Sequence, residues 1–411
     1  MPTLFQICSS VNWGSVDRIA EQIGQIAILD GWESYITYAR YHLPSKSKVI
    51  KIGNKLDVYW HGINSRLFDN HCLKSTSATK KLITQIKTIK PDIIQIHNIH
   101  GYFLNMCVLF DYLSKIEIPI VWVFHDCWSM TGHCAHFDAI GCKKWITGCY
   151  ECPQKRGYPA SIFLDKSKRN YALKKELFNN VSNMTIVPVS NWLGEIVRKS
   201  FLNQYPLQII QNGIDVDIFS MQTDLDTIRK KYNMENKFII LGVTNTWEKR
   251  KGLEDFISLN EIIDHYNYKI VLVGLNKRQL KELPEDIIGI ERTNNVQKLV
   301  EFYSFADVFL NPTYQDTFPT TNLESLACGT PVITYYTGGS VESISEDTGF
   351  VIKQGDINGI YETIKKIKEK GKLFYSSNCR KRAISHYDKK NRFKDYMNLY
   401  YQLLGKQKEL L

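Results

Sequence analysis

No run of eighteen consecutive apolar residues occurs in the 411-residue chain, so no segment reads as a membrane-spanning helix. The N-terminus, MPTLFQICSSVNWGS, has neither a basic stretch nor a small-residue cleavage site, and a cytoplasmic protein is expected. Glycine (24) and proline (12) are scarce, and charged residues make up only 23%. Those values exclude collagen-like, low-complexity and coiled-coil classes. No internal repeat is found. What is present is 44% hydrophobic residues, 12% of the chain being aromatic, enough for a core in each of two or three domains.

Lys and Arg outnumber Asp and Glu, 52 to 42. Residues 361–411 alone carry 14 basic and 5 acidic side chains, so the remainder is almost neutral. A nucleic-acid-binding domain would spread basic residues over a face, and no nucleic-acid partner is expected. A basic terminal segment, with Lys365, Lys366, Lys368 and Lys370, suits an anionic membrane surface. It suits a solvated helical face equally.

Short apolar runs alternate with helical patterns throughout. Leu4–Cys8, Ser34–Tyr38, Asp92–His97 and Ile118–Phe124 read as strands, with helices expected at Val16–Leu29 and Thr79–Ile89. The pattern restarts with strands at Ile186–Val189, Phe238–Val243, Lys269–Val273, Val308–Leu310 and Pro331–Thr334, and a helix at Leu253–Ile263. Such alternation predicts an α/β fold of two doubly wound parallel sheets. The Asn212-Gly213 turn dipeptide, directly after Leu207–Ile210, marks their join. A last helix, Asn391–Leu404, places Phe393, Met397, Tyr400, Tyr401 and Leu404 on one face.

In open α/β sheets ligands bind beyond the carboxyl ends of the strands. After Val308–Leu310, Pro319 is placed to be the first residue of a helix, with the free amides of the next turn, Thr320, Thr321 and Asn322, forming an anion site for a diphosphate. Asp316 and Glu324 can then face the same cleft and bind hydroxyls of ribose or sugar. Lys249, Arg250 and Lys251 follow another strand, where cations would neutralise a leaving group. Gly338 and Gly339 permit close backbone approach after a third. In the first half, Trp13-Gly14-Ser15 leads into a helix, and His97 and His125-Asp126 end strands. Together these groups are expected to ring one cleft.

These residues resemble the retaining glycosyltransferases of family 4, which have the two-domain GT-B fold. The resemblance covers nearly the whole chain and is most specific at Asp316–Ile333, similar to the family's E-x7-E segment followed by E-A-x-A-C-G-x-P-V-I. Asn212–Asp215 is similar to its N-G-V-D linker, and Gly338–Glu342 to its G-G-x-x-E. The resemblance implies Rossmann-like domains at 1–206 and 207–390, with a helix at 391–411 returning to the first. It implies a nucleotide-sugar donor and a saccharide acceptor, expected to be lipid-linked. Glu324 would bind the donor ribose, Asp316 the transferred sugar, Lys251 the diphosphate and His125 the sugar near its reacting carbon. Gly14 and Ser15 would form a loop over the phosphates, with His97 and Asp126 on the acceptor side. Asp316 departs from the family's Glu, Thr246 stands where an arginine is usual, leaving Arg250 or Lys249 to substitute, and Trp13-Gly14 replaces two glycines. No catalytic metal is implied.

The segment from His125 to Pro153 is similar to bacterial capsule and exopolysaccharide transferases. Five of the ten cysteines fall between Cys127 and Cys152. Cys134, Cys142, Cys149 and Cys152 offer four thiolates to a structural zinc; buried reduced thiols and a redox pair are the other readings. Asp215-Val216-Asp217 has the form of a metal-dependent transferase's D-x-D, but it falls in the linker and recurs at Asp224-Leu225-Asp226. The function expected is transfer of a sugar to a hydroxyl in capsule or exopolysaccharide synthesis, at the inner face of the plasma membrane. A GT-B sugar-nucleotide epimerase and a zinc-containing nucleic-acid-binding protein are the alternatives.

Overall fold

The computed structural model describes residues 1–405 except Asn233 and Asn294, so the last six positions of the 391–411 helix lie outside the described residues. Met1–Gln211, with the chain from Arg392 onward, form one compact unit, and Asn212–Asn391 form a second.

Unit 1 holds strands β1 (Thr3–Ile7), β2 (Glu33–Tyr38), β3 (Lys48–Lys51), β4 (Ile93–Ile96), β5 (Ile120–Phe124) and β6 (Met184–Pro188). They alternate with helices α1 (Ser15–Leu29), α2 (Lys55–Phe68), α3 (Thr76–Ile89), α4 (Met106–Leu113), α5 (Ser167–Phe178) and α6 (Asn191–Lys199). The strand order is β3-β2-β1-β4-β5-β6, every pair parallel. Strands β4, β5 and β6 are buried along their whole length, as a parallel sheet covered on both faces demands. Trp122, Phe110 and Phe178 pack ring against ring beside β5, with centroids 4.4–5.2 Å apart.

Unit 2 repeats the plan. Its strands are β7 (Phe238–Val243), β8 (Tyr268–Val273), β9 (Ile287–Ile290), β10 (Val308–Asn311), β11 (Val332–Tyr335) and β12 (Gly349–Ile352), in the order β12-β11-β10-β7-β8-β9. The helices are α7 (Leu225–Lys231), α8 (Leu253–Ile262), α9 (Lys277–Glu282), α10 (Val296–Phe305), α11 (Thr320–Ala327), α12 (Ile357–Lys370) and α13 (Lys372–Tyr387); α14 (Lys389–Leu403) follows and belongs to unit 1 from Arg392 onward. Each sheet winds outward in both directions from its first strand. Each therefore has one switch point, between β1 and β4 and between β7 and β10, where the following loops splay apart and leave a crevice.

Among the elements that the sequence did not place are the short edge strands β3, β9 and β12 and helix α2. Helix α14 buries Phe393, Tyr396, Met397, Leu399 and Tyr400 in unit 1, where the Tyr400 hydroxyl donates to Gln95. Trp32 Nε1 donates to the Tyr401 hydroxyl at 3.0 Å. Among the described residues no helix is long and apolar enough to cross a membrane.

Candidate functional site

At the unit 2 switch point, the loop after β7 makes one tight helical turn, Lys249–Lys251, closed by Gly252 at φ +72°. A Cβ on Gly252 would stand 2.3 Å from the Pro312 carbonyl oxygen, so only glycine lets this loop reach the one after β10. The two are stitched together: the Tyr314 amide donates to the Arg250 carbonyl at 2.8 Å, and Arg250 donates to the Gln315 carbonyl at 3.1 Å. Arg250 also meets Glu248 at 3.0 Å, so its guanidinium is partly committed to holding the turn.

That stitching brings Lys251 Nζ to 2.5 Å from Asp316 Oδ2, the two side chains being 17% and 15% exposed. Burial pulls the Lys251 ammonium below its ordinary pKa, and the Asp316 carboxylate opposes the shift. Asp316 is fixed from the other side as well. Gly338, at φ +47°, lies so close that a Cβ would fall 1.9 Å from the Asp316 carbonyl oxygen. Gly338 and Gly339 sit in the one-turn segment Gly338–Ser343, and Thr337 upstream donates to the Tyr314 carbonyl at 2.9 Å. Lys251, Asp316, Arg250 and the two glycines therefore share one place.

Pro319 is the N-cap of α11 rather than its first helical residue, because its ψ of 118° is extended and helical geometry begins at Thr320. The first-turn amides of Thr320 and Thr321 have no carbonyl one turn back within the helix. The Asn322 side chain turns inward instead: it accepts from Asn311 at 2.8 Å and donates to Ser343 at 2.8 Å. The Asn322 backbone amide donates to the Pro319 carbonyl at 3.3 Å, which leaves Thr320 and Thr321 to offer the free amides. Glu324, one turn on, is buried and accepts a hydrogen bond from the Tyr303 hydroxyl at 2.9 Å. Tyr303 comes from α10 and carries no motif to mark it. Asp215 caps its own turn, accepting from the amides of Asp217 and Ile218 at 3.1 Å and pairing with Lys389, while Asp217 pairs with Lys390. This D-x-D is a structural turn.

In unit 1 the histidines at the strand ends are wired together. His97 Nδ1 lies 3.0 Å from His125 Nε2, and His97 Nε2 lies 2.9 Å from Gln95 Nε2 and 3.1 Å from Gln6 Oε1. Burial, with His125 as a lesser cause, drives His97 well below the usual histidine range. Burial also lowers His125 to about 4, so both rings are neutral at pH 7. Asp126 resists the upward push of burial because His100, at 2.7 Å, holds its carboxyl well below the usual range. Asn98 donates to the same carboxylate at 3.2 Å. Gly14 caps α1, its amide donating to Asp17 at 3.1 Å, and Ser15 follows, exposed. A small cavity is lined by Ser9, Asp17, Arg40, His97, Asn98 and His100, among others. His100 and Arg40 were not singled out by sequence, although His100 stands three residues beyond His97 in the same strand-end loop.

All ten cysteines are free thiols. Cys134 and Cys152 are hydrogen-bonded to each other, the bond lowering the Cys152 thiol to about 7 and raising Cys134. Among the described residues no three His, Cys, Asp or Glu side chains form a group that could hold a metal ion. Cys134, Cys142, Cys149 and Cys152, where a zinc was expected, lie in a segment that includes several one-turn helices; burial first, and the nearby Cys152 and Cys142 next, raise the Cys149 thiol, and the Cys142 carbonyl accepts from Trp145 Nε1 at 3.0 Å.

Residues 31–218 match the model of glycosyltransferase family 4, and residues 224–386 that of glycosyl transferases group 1. The chain is 22% identical over 365 residues to an Escherichia coli K12 protein named for colanic acid biosynthesis, the glycosyl transferase WcaC, covering 84% of this chain and 85% of that one. Its fold is similar to that of sucrose-phosphate synthase from Thermosynechococcus elongatus, with TM-score 0.74 and 14% identity over 98% of this chain and 100% of that one. It is similar also to Anabaena HepE solved with UDP-glucose, with TM-score 0.67 and 13% identity over 97% and 99% of the two chains.

Proposed function

This chain belongs to the family 4 glycosyltransferases with the GT-B fold, and on that premise we propose that it moves a sugar from a nucleoside diphosphate sugar to a hydroxyl of a lipid-linked saccharide, retaining the anomeric configuration. The observation that carries the reading is the Lys251–Asp316 pair beside the open first turn of α11. A diphosphate placed on the Thr320 and Thr321 amides would draw Lys251 to itself. Asp316 would then be released to accept hydrogen bonds from sugar hydroxyls, and the ammonium would stabilise the charge that develops on the leaving phosphate. Glu324, held by Tyr303, accepts from the ribose hydroxyls.

Unit 1 serves the acceptor in this scheme. His125, neutral and backed by His97, offers a hydrogen bond to the transferred sugar rather than a charge. The leaving phosphate itself then takes the acceptor proton. The similarity to WcaC favours an exopolysaccharide or capsule as the product.

The test is incubation of the purified protein with a panel of nucleotide sugars, following slow donor hydrolysis, since the released base and sugar identify the donor without an acceptor. Glu324→Gln removes a charged acceptor from a buried hydroxyl, costing about 1.5–3 kcal/mol, or roughly ten- to a hundredfold in nucleotide affinity. Equal affinity of native and variant chains for the donor nucleotide would refute the site.

A further inference from the structure

Helix α2 is built inside out. An amphipathic helix on a water-soluble protein turns its apolar stripe to the core. Here the buried residues are His61, Gly62, Asn64 and Ser65. Leu56, Tyr59 and Trp60, at the i, i+3, i+4 spacing of one face, are 76%, 69% and 63% exposed. The polar face is tied where it lies, since His61 Nδ1 is 2.9 Å from Ser75 Oγ and Ser65 Oγ is 3.1 Å from His71 Nδ1, although His61 Nε2 is buried without a partner. Rotating the helix to hide its aromatics would strand those groups.

A second apolar element joins it. The amide of Ile162 donates at 2.6 Å to the carbonyl of Arg66 in the last turn of α2. From there Ile162, Phe163 and Leu164 project into solvent, with Phe163 68% exposed. This tip is held rather than loose: Ser161 Oγ donates to the Leu164 carbonyl at 2.6 Å and Lys155 Nζ to that of Phe163 at 3.3 Å. Its flanks are predominantly basic, Lys155 and Arg156 on one side and Lys166, Lys168 and Arg169 on the other, with Lys55 and Arg66 on the helix; against them stand Asp57 and Asp165, the latter occupied by the amides of Cys152 and Ser167.

We infer that the exposed face of α2 and the 162–164 tip form one membrane-docking surface, which lies in the interface of an anionic bilayer. Trp and Tyr favour the headgroup layer, where an aromatic body is apolar and its polar atom stays wet. Leu and Phe reach the acyl boundary, and the surrounding Lys and Arg meet the anionic headgroups. A water-soluble partner would cover the apolar face but would give no reason for cations on both flanks of the tip. The inference bears on the proposed lipid-linked acceptor but rests on this surface alone.

The experiment is co-sedimentation of the full chain with phosphatidylcholine vesicles, with and without phosphatidylglycerol. The native chain should bind the anionic vesicles, and part of that binding should survive high salt because apolar burial is not screened. Combined Trp60→Ser and Phe163→Ser substitutions should weaken binding at least tenfold. Nucleotide affinity, measured on unit 2's site by calorimetry, monitors folding and the donor site independently. Undiminished vesicle binding by a variant that still binds nucleotide would overturn the inference. So would a native chain that ignores vesicles and sediments as a dimer which the same substitutions dissociate, because the face would then cover a second copy.

Discussion

The two units share a strand order but treat their polar groups in opposite ways. Unit 2 keeps a charged pair, Lys251 and Asp316, about one-sixth exposed at its switch point, where a ligand can compete for either partner. Unit 1 buries four histidines and strips them of charge: His97 and His71 are driven well below the usual range, and His61 and His125 to about 4, burial being the first cause in every case. Charge that must follow a leaving phosphate has to be mobile and accessible, whereas a group that only orients a sugar works best as a fixed neutral dipole. One architecture thus supplies two electrostatic environments.

The largest expected effect separates the units by acid. A histidine whose folded pKa is depressed binds its proton more readily in the unfolded chain, so its stabilising contribution is present near pH 7 and lost as pH falls from about 6.5 toward the folded value. His61 and His125 each amount to about 3 kcal/mol across that interval, and His71 and His97 act in the same direction. His133 opposes them. Although burial pushes it down, Asp69 at 2.7 Å raises its pKa, so its contribution is present at acid pH and lost as pH rises through the raised value. The depressed histidines outnumber it. Of the eight tryptophans, all but Trp247 belong to unit 1, so tryptophan fluorescence follows that unit. Its denaturant midpoint should fall sharply between pH 7 and pH 4.5. A midpoint that stays put would erase the contrast between the units.

The next effect breaks the comparison from unit 2's side. Lys251→Ala removes the cation expected on the leaving phosphate and should lower turnover by roughly 10²–10³-fold, the usual worth of one charge-stabilising group in a pre-organised site. A loss under tenfold in single-turnover measurements would mean that Lys251 merely pairs with Asp316 and that the leaving group is stabilised elsewhere.

The units also differ in how far they could be read without coordinates. The unit 2 site is assembled from three short stretches, Glu248–Gly252, Asn311–Glu324 and Thr337–Glu342, each directly after a strand. Strand ends are visible as apolar runs that stop, and a parallel sheet gathers its carboxyl ends at one edge, so neighbours in the site follow from position in the chain. Tyr303, which orients Glu324, escaped because it reaches the site from the far end of a helix. Unit 1 depends more on distant pairing. Gln95 meets Tyr400 across 305 residues, and nothing local to either announces the other. Helix α2 was not placed from sequence at all, and its most exposed side chains are apolar ones, Leu56, Tyr59 and Trp60.

The smallest effect concerns the lysines of α12, Lys365, Lys366, Lys368 and Lys370, which by sequence suit a membrane surface and a solvated face equally. Each cation near an anionic leaflet is worth about 1 kcal/mol when it is free to approach. Lys365 is 2.5 Å from Glu362, Lys368 stands over the Tyr268 ring at 4.4 Å and Lys370 over Phe374 at 4.9 Å. These engagements hold three of the four side chains along the unit's own surface. Changing all four to Gln should therefore weaken binding to anionic vesicles less than tenfold, and the remainder should be as salt-resistant as in the native chain. That places the main contact on unit 1, where apolar and basic groups stand together. If the four lysine substitutions abolish binding that Trp60→Ser and Phe163→Ser leave intact, attraction to the bilayer is purely electrostatic and belongs to unit 2.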